Sequence, residues 1–590
     1  MDSVFGCFAP VTSPVQWRTF SRDAFADAEQ GPTPIFLFIG AAWCPYSQRF
    51  LHDLQTDAAA VNELNNSYIP ILVDGERRPD VQLRYPAEGW PGIMILEPGG
   101  EVLWASTHVP PGQLARLLSK VRGYFQENRR EIRGKAQLAR AEQRAALQPA
   151  SPQDSSPLSE SVLREVAAAT VTAYDADNPG FALEVGYGGP KFPHFDAIEF
   201  LLALDDDGSA ATIVQEALSA LMERGLWDPE QGGLRRYAVE RDWSRVHGER
   251  LLIDNARLLR LLCLAGRQLD AAALFAQAER VRQWCREVTD EASQAPVSLR
   301  PAHEDVPDDW AVPARDETIF VGAHSALVSA QLATARSLGT GGAIDGSEVE
   351  AALRLLEDLW ERGRDARGVA RRHLDEGGVS GTLHDQAALA AACLDAFEVS
   401  GKRVYRERAE LVLEAANKQF KQSGGAFFDV VEDRDAPGRG RFRRREITAN
   451  AAITMVALRL HELTRTDWYR ETATEALAEF ARGAAKQGIH ACRFGLALHR
   501  YRNPAPVLIV AGQADLPSTQ ALHAAALQLP SVRLAVQLLD PLKDLETLTR
   551  FNVEQSREVR AYLSDGRSLH GPWRSPAEIA GAPALLAAAV

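Results

Sequence analysis

Short, continuous apolar runs dominate the first 125 residues. Two of them have the length of buried strands, a helical pattern lies between them, two short runs flank a Pro-Gly-Gly turn, and an amphipathic pattern closes the region. In chain order these segments are residues 33–43, 45–54, 68–74, 93–97, 101–105 and 112–125. This order predicts a mixed sheet with flanking helices.

From residue 160 to about 500, strand signals nearly vanish and amphipathic helical patterns recur. Eleven of them are recognisable, at 161–175, 194–205, 210–225, 250–267, 269–290, 317–337, 347–363, 383–399, 403–420, 446–463 and 467–485. Gly-rich loops punctuate the series at 232–234, 368–369 and 424–428. This spacing is typical of a helical repeat array, and we expect about six hairpins to close into a ring with the loops at its inner mouth.

The pattern returns to α/β after residue 502. Residues 506–511, 533–539 and 558–563 predict strands, and 518–529 predict a helix. A Pro- and Ser-rich stretch at 148–159 predicts a linker. The domain organisation that follows is 1–125, a connector at 126–159, a helical ring at 160–502 and a small α/β region at 503–590.

Composition narrows the functional classes. The 590 residues carry 65 Lys and Arg against 79 Asp and Glu, for a net charge of −14. Such a chain lacks the basic field for nucleic acid and should avoid anionic membranes. We find no signal peptide and no apolar run of the roughly 20 residues that a membrane span needs, so we expect a cytoplasmic protein. The six scattered cysteines favour neither a disulfide framework nor a metal site, and we expect no cofactor.

Cys44 stands where a thiol can do chemistry. It follows a predicted strand and opens a helix with Pro45 in the first turn, and a helix N-terminus stabilises a thiolate. The pattern resembles the thioredoxin fold, in which Trp90-Pro91 would occupy the cis-proline position beside the cysteine. Ser47 stands where a dithiol site has its second cysteine, which excludes an ordinary dithiol cycle. A monothiol exchange, with glutathione as the candidate thiol partner, stays open.

Several ordered blocks resemble the spermatogenesis-associated thioredoxin-like family, whose bacterial members are the YyaL-type proteins. The blocks lie at 15–17, 34–40, 73–80, 89–91, 188–194, 232–237, 242–249 and 254–256, and we expect the resemblance to extend over nearly the whole chain. The resemblance implies a thioredoxin-like N-domain followed by an (α/α)6 toroid of the six-hairpin glycosidase type. The family's activity is poorly defined, so the resemblance indicates fold more than function.

The chain departs from the family's pattern at several positions. Trp43-Cys44-Pro45 replaces Trp-Cys-His, and Ala323-His324-Ser325 replaces Trp-Asn-Gly. Ala449-Asn450-Ala451 replaces the family's Gly-Asn-Ser. Ser564 and Leu569 stand where the family has two C-terminal cysteines.

The helical region holds one dense polar cluster. Paired carboxyl groups near an aromatic ring suit sugar chemistry, and a histidine could move a proton as in an epimerase. We take Cys44, His247, Glu249 and Asp254 as catalytic candidates. Candidate binding residues are Trp43, Ser47, Trp90, Pro91, His194, Asp242, Trp243, Asn255, Asp316, His324, His384, Asp385 and Asn450. Buried Asp and Asn at loop–helix junctions also serve as caps and loop staples, so a structural role stays open.

Three hypotheses follow from these features. The chain is a monothiol redox or thiol-dependent binding protein that uses Cys44, a carbohydrate-active hydrolase or epimerase acting at the ring mouth, or a non-catalytic scaffold. Its partner would be a protein or a small carbohydrate. An arginine run at 439–445 predicts a solvated loop or, alternatively, a site for an acidic partner.

Overall fold

The computed structural model describes residues 13–580 with gaps at 86, 88, 147–157, 184–185, 205–207, 231, 290–315, 340–343, 376–377, 422–424 and 530–532. The predicted linker at 148–159 therefore lies mostly outside the described residues.

The N-terminal domain is a four-stranded sheet in the order β2-β1-β3-β4. Strands β1 and β2 are parallel, while β3 runs antiparallel to β1 and β4 antiparallel to β3. The Trp90–Pro91 peptide bond, just before β3, is cis. Its elements are α1 (Arg22–Gln30), β1 (Ile35–Gly40), α2 (Pro45–Thr56), α3 (Ala58–Ser67), β2 (Ile69–Asp74), α4 (Pro79–Gln82), β3 (Gly92–Leu96), β4 (Val102–Ser106) and α5 (Leu114–Glu127), and the connector helix α6 (Arg129–Ala146) follows.

Twelve helices then build a ring of outer and inner members. They are α7 (Glu160–Thr172), α8 (Phe195–Leu204), α9 (Ser209–Glu223), α10 (Leu252–Gln268), α11 (Ala272–Val288), α12 (Val321–Ser337), α13 (Gly346–Arg362), α14 (Leu383–Ser400), α15 (Arg403–Gln419), α16 (Ile447–Thr464), α17 (Asp467–Ala481) and α18 (Cys492–Arg502). A short hairpin, β5 (Tyr237–Ala238) and β6 (Val246–His247), lies between α9 and α10.

Packing between the even-numbered helices closes the ring. Helices α8, α10, α12, α14, α16 and α18 contact one another in that order, and α18 packs back on α8. Each odd-numbered helix covers an inner helix from outside, and α7, the first of the series, covers α18, the last. The eleven predicted helices are present. The sequence pattern missed one further ring helix, α18. It has only 11 residues and follows a 3₁₀ segment at Ala484–Ala491, so its apolar period is short.

The C-terminal domain repeats the strand arrangement of the N-terminal one. Its sheet order is β8-β7-β9-β10, with β7 and β8 parallel and the other two pairs antiparallel. The elements are β7 (Val507–Ala511), α19 (Pro517–Leu527), β8 (Ala535–Leu539), α20 (Leu545–Arg550), β9 (Arg560–Ser564), β10 (Leu569–Trp573) and α21 (Pro576–Ile579). Pro517 opens α19 as Pro45 opens α2, but Leu516 stands where the N-terminal domain has Cys44. Ser564 and Leu569, the departures from the family's cysteines, face each other across β9 and β10.

The predicted Gly-rich loops are held by one repeated device. The side-chain amide of the fourth residue of an inner helix bonds both the N–H and the C=O of one loop residue. Asn255 holds Leu234 (2.7 and 3.2 Å), Gln386 holds Ala370 (2.7 and 3.0 Å), and Asn450 holds Phe427 (2.7 and 2.9 Å). All three amides are at most 1% exposed. The Gly-rich loops that recur along the sequence are therefore the loops that an inner-helix amide holds in place.

The two sheet domains sit on opposite ends of the ring. At the N-terminal ends of the inner helices, Arg84 of the N-terminal domain makes two 2.8 Å bonds to Asp429, and both side chains are buried. At the C-terminal ends, Arg267 and Arg336 donate to the carbonyl of Leu527, the last residue of α19 (3.1 and 3.3 Å). We call these ends of the ring the rim and the floor.

The arginine run belongs to the attachment at the rim. Arg439 pairs with Glu101 of the N-terminal domain at 2.7 Å, and Arg445 pairs with Glu479 of the ring at 3.2 Å. Arg443 lies over the Phe428 ring at 4.0 Å and is buried. The prediction of a solvated loop holds for Arg441 and Arg444, which are exposed, but not for Arg439, Arg443 and Arg445. The acidic partner of Arg439 is the chain's own N-terminal domain.

Replacing Asn255 with alanine tests the loop device. The change leaves the buried N–H and C=O of Leu234 without their partner, and we expect a loss of about 1–3 kcal/mol in the free energy of unfolding. Denaturant unfolding measures it, with Asn62→Ala on the exposed surface of α3 as the control. Equal stability of the two variants would show that the loop does not depend on the amide.

Candidate functional site

A cavity of about 730 Å³ runs through the ring from rim to floor. Trp43 and Glu76 of the N-terminal domain line it at the rim, and Leu534 and Ala535 of the C-terminal domain line it at the floor. Both sheet domains therefore form part of its wall. A pocket of this size suits a small molecule of one to a few rings.

Charged side chains of the inner helices alternate in sign along this wall. Arg257 pairs with Asp196 at 2.5 Å, and Arg260 pairs with Glu199 at 2.8 Å. Lower down, Arg459 binds both Asp395 and Glu398, each at 2.7 Å. We call these seven residues the charged belt. Small apolar side chains lie between its members, chiefly Ala326, Ala388, Ala452 and Met455.

The belt keeps its charges by pairing. Burial alone would raise the pKa of Asp196, but Arg257 and Arg493 more than offset it, and the pKa is lowered. The same balance lowers the pKa of Glu199 through Arg260. The belt thus presents ionised acceptors beside guanidinium donors over much of the cavity.

A second group of charges meets at the rim, where the N-terminal domain covers the ring. Arg372 donates to the Glu76 carboxylate at 3.1 Å and to Asp385 at 3.0 Å. Asp254 is half-buried and does not itself line the cavity, although its neighbours Ile253 and Arg257 on α10 do. Its pKa is raised to about 6. Burial is the main cause and Glu76 adds to it, while Arg257 and Arg236 act in the opposite direction. Asp254 is therefore a carboxyl group that exchanges its proton near neutral pH.

Cys44 packs between the N-terminal domain and the ring. The residue is 3% exposed and lies in an apolar cluster with Ala41, Trp43, Trp90 and Leu251. Burial raises the pKa of the Cys44 thiol, and the Glu249 carboxylate raises it further, which outweighs the hydrogen bonding of Ser47. The expectation that the helix start makes Cys44 a thiolate is not met, because the cost of removing a charge from water exceeds the effect of the helix dipole.

Two catalytic candidates from the ring do lie against this motif. His247 is next to Tyr46, with ring centroids 6.0 Å apart, and stacks on Tyr237 at 4.2 Å. Its Nδ1 is 3.4 Å from Glu249 Oε2. The structure thus brings Cys44, His247 and Glu249 to one interface, but none of the three lines the cavity.

Other residues of the predicted cluster have structural surroundings. Trp243 is 2% exposed, donates to the Pro179 carbonyl at 3.0 Å and lies over Lys191. Asp242 is on the surface and accepts hydrogen bonds from Ser244. Neither reaches the cavity, so the spacing in sequence that suggested a sugar site at Asp242 and Trp243 reflects a folded loop around Lys191.

The remaining candidates divide between the cavity wall and the framework. Trp43, Asp316, His384 and Asp385 line the cavity. The other candidates do not line the cavity and belong to the protein framework. Asn255 and Asn450 form the loop device, and the Nδ1 of His324 lies 3.0 Å from the Phe320 carbonyl oxygen. Burial lowers the pKa of His194 to about 4, and the remaining framework residues are Ser47, Trp90 and Pro91. Trp43 is only 4% exposed, since Arg236 lies over its ring at 4.7 Å.

Sequence reasoning missed the charged belt, although a signal was present. Its carboxylates and arginines occur three residues apart within otherwise apolar helices: Asp196 and Glu199, Arg257 and Arg260, Asp395 and Glu398. That spacing puts both charges on one helix face, and an apolar helix that is covered outside can only turn such a face inward.

The described ranges hold neither a candidate membrane span nor a candidate metal site. In these ranges no helix is long and apolar enough to cross a membrane. Nor do three His, Cys, Asp or Glu side chains of the same ranges converge as metal ligands do.

The burial of Cys44 predicts slow alkylation. In a Cys7→Ser background, we expect iodoacetamide at pH 7.5 to modify Cys44 at least about tenfold more slowly in the folded chain than in urea, since little thiolate is present. Peptide mass spectrometry gives the rate, and Cys44→Ser provides the blank. A folded rate equal to that of a free cysteine would contradict the buried thiol.

Asp74 predicts a pH-dependent stability. Its pKa is raised to about 7 by burial and by the neighbouring Asp316 and Glu76, against the effect of Arg77. A raised pKa means that ionisation destabilises the fold, so the penalty grows as pH rises from about 4 to 7 and then stays constant.

We therefore expect Asp74→Asn to raise the Tm at pH 8 and to change it little at pH 4, because asparagine keeps the acceptor for the Glu76 and Arg77 amides. Thermal unfolding across this range measures the difference, with Asp57→Asn at the start of α3 as a control. A Tm gain that does not depend on pH would contradict the assignment.

The N-terminal region matches a known family. Residues 8–143 match the family model Thioredox_DsbH, described as a protein of unknown function, DUF255. The chain is 26% identical over 269 residues to an uncharacterized protein of Caenorhabditis elegans, covering 42% of this chain and 36% of that protein. It is 26% identical over 268 residues to spermatogenesis-associated protein 20 of Homo sapiens, covering 42% and 34%. The resemblance to the spermatogenesis-associated proteins is confirmed, and the match spans about a third of these relatives' length.

Two solved structures are distantly similar to this chain. A cellobiose 2-epimerase from Bacillus thermoamylovorans has a TM-score of 0.43 and 13% identity, covering 56% of this chain and 88% of that one. A family 76 glycoside hydrolase (mannosidase) from Bacteroides thetaiotaomicron has a TM-score of 0.43 and 8% identity, covering 58% and 98%. Likeness at this level says nothing about the reaction.

Proposed function

We propose that the chain, whose N-terminal part resembles the spermatogenesis-associated proteins, binds a polyhydroxylated molecule of the carbohydrate type in its ring and performs acid–base chemistry at the rim. The observation that carries this proposal is the charged belt. Its guanidinium and carboxylate groups alternate along a cavity of about 730 Å³.

Hydroxyl groups suit such a wall better than other polar groups. A hydroxyl donates one hydrogen bond and accepts two, so it can bond a carboxylate and a guanidinium at once without separating the pair. A purely cationic or anionic ligand would have to compete with the existing ion pairs. The alanine and methionine side chains between the charges offer contact for the C–H faces of a sugar ring.

Asp254 is the residue that we assign to proton transfer. A carboxyl group with a pKa of about 6 is protonated in a useful fraction near neutral pH and can donate to a leaving or ring oxygen. Glu76 and Asp316 line the same end of the cavity and provide the second carboxyl group that a sugar-directed acid–base pair requires.

We infer that the N-terminal domain is a thioredoxin-like unit that serves as the roof of this site rather than as a redox centre. Its strand order, the cis-proline beside Cys44 and the family match support the first part. The buried thiol and the placement of Trp43 and Glu76 in the cavity wall support the second. Under this proposal glutathione has no role in the reaction.

Asp254→Asn separates binding from chemistry. The test is a screen of neutral mono- and disaccharides for a rise in the Tm of the protein, with conversion of each sugar followed by NMR. For a sugar that is converted, Asp254→Asn should lower kcat by about 10²–10⁴-fold while the Tm shift persists. The wild-type rate should fall as the pH rises above about 6, because the acid loses its proton.

Asp242→Asn is the matched control, since Asp242 lies on the surface of the same region and should leave kcat unchanged. A panel in which no sugar raises the wild-type Tm would overturn the proposed ligand class. A converted sugar whose kcat is unaffected in Asp254→Asn would overturn the assigned acid.

A further inference from the structure

The two ends of the cavity differ in the polar groups they offer. Carboxyl groups predominate among the lining residues at the rim: Glu76, Asp196, Asp316, Asp385 and Glu446. Donors predominate at the floor: Gln268, Arg336, His499, Arg500, Asn503 and Arg533. Among the described lining residues below Asp395, Glu398 is the one carboxylate, and Arg459 binds it at 2.7 Å. Arg500 is itself paired with Glu462, which does not line the cavity.

Arg336 is the best placed of these donors. It lies in the last turn of α12, lines the cavity and donates from Nη2 to the Leu527 carbonyl at 3.3 Å. Arg267 binds the same carbonyl at 3.1 Å. Of the residues that the structure describes, no carboxylate lies within 4 Å of either guanidinium, so two cations share neutral acceptors.

Electrostatics agrees with this geometry. Burial and the neighbouring Arg336 lower the pKa of Arg267 to about 10. Burial also lowers the pKa of Arg336. The C-terminal ends of the inner helices and of α19 favour cations here, each by about 0.3–1 kcal/mol at an exposed site. That effect explains a cation at the floor. Glu398 and Asp395 also attract Arg336, but neither is in direct contact with its guanidinium, whose ion-pair partner is therefore missing among the described residues.

We propose that the floor of the cavity is an oxyanion site, in which Arg336 binds a phosphate or carboxylate group carried by the polyhydroxylated ligand. That the ligand carries hydroxyl groups rests on the proposed function, whereas the proposal that the floor binds an anion does not. An anionic group at the floor would direct the rest of the ligand toward the charged belt. Arg533, which donates to Asn503 O at 3.2 Å, and His499 lie at the same end.

Arginine is suited to this role, because its planar guanidinium keeps donors free after one of them has bonded the Leu527 carbonyl. Lysine would preserve the charge but not the paired donors. An oxyanion site of this kind makes a sugar phosphate or a sugar acid bind more tightly than the corresponding neutral sugar.

Calorimetry at constant ionic strength tests the site with four probes: glucose, glucose 6-phosphate, glucuronate and inorganic phosphate. We expect the wild type to bind at least one of the two anionic sugars more tightly than glucose. Arg336→Gln should weaken that binding by at least about tenfold and leave glucose binding unchanged, as expected for one lost charge-assisted hydrogen bond. Arg362→Gln, on the outer surface of α13, is the control and should bind like the wild type.

The probes distinguish the possible results. Preference for glucose 6-phosphate or for glucuronate identifies phosphate or carboxylate as the group bound. Anionic sugars that bind no better than glucose, or equally well to Arg336→Gln, would overturn the site and leave Arg336 a support for α19. If the chain binds phosphate only when Arg336 is present and does not bind glucose, the anion site stands and the proposed polyhydroxylated ligand is overturned. Arg336→Lys, which keeps the charge, should retain part of the affinity if Arg336→Gln unfolds.

Discussion

Pairing of opposite charges inside the ring is the constraint on which the rest of the structure depends. Six inner helices turn charged faces toward a shared space, and ions placed there cost free energy unless each finds a partner. Arg257, Arg260 and Arg459 meet this requirement with carboxylates from the same or neighbouring inner helices. The same pairing keeps the cavity polar and open, where apolar side chains would have filled it.

The two sheet domains complete what the ring leaves unfinished. A ring of helices has two open ends, and each end exposes backbone groups of the inner helices that need partners. The N-terminal domain covers the rim through Arg84–Asp429 and Arg372–Glu76, and the C-terminal domain covers the floor through Leu527. Both domains share one strand order, although only the first has a cysteine at its helix start. The motif that suggested redox chemistry lies in this contact, with Cys44 buried in it and Trp43 in the cavity wall.

The sequence predicted the elements well and the site only in part. Apolar period and Gly-rich punctuation were sufficient for eleven ring helices, the N-terminal sheet and three of the four C-terminal strands, because those signals are local. Strand β10 was missed. Asn255 and Asn450 were predicted as ligand-binding residues with a structural role left open. An amide in a helix's first turn serves a loop as readily as a ligand, and the contacts to Leu234 and Phe427 show the loop role. The burial of Cys44 could not be predicted from its local sequence, because it depends on residues such as Leu251 that are distant in the chain.

Hydrogen exchange measured with and without a saturating carbohydrate tests the occupancy of the ring most directly. If the cavity is the binding site, amide exchange should slow in the first turns of α10, α14 and α16 and around Glu76, while the outer helices α13 and α15 stay unchanged. Slowing confined to the outer helices, or none in a chain that binds the sugar by calorimetry, would place the ligand elsewhere and contradict the account.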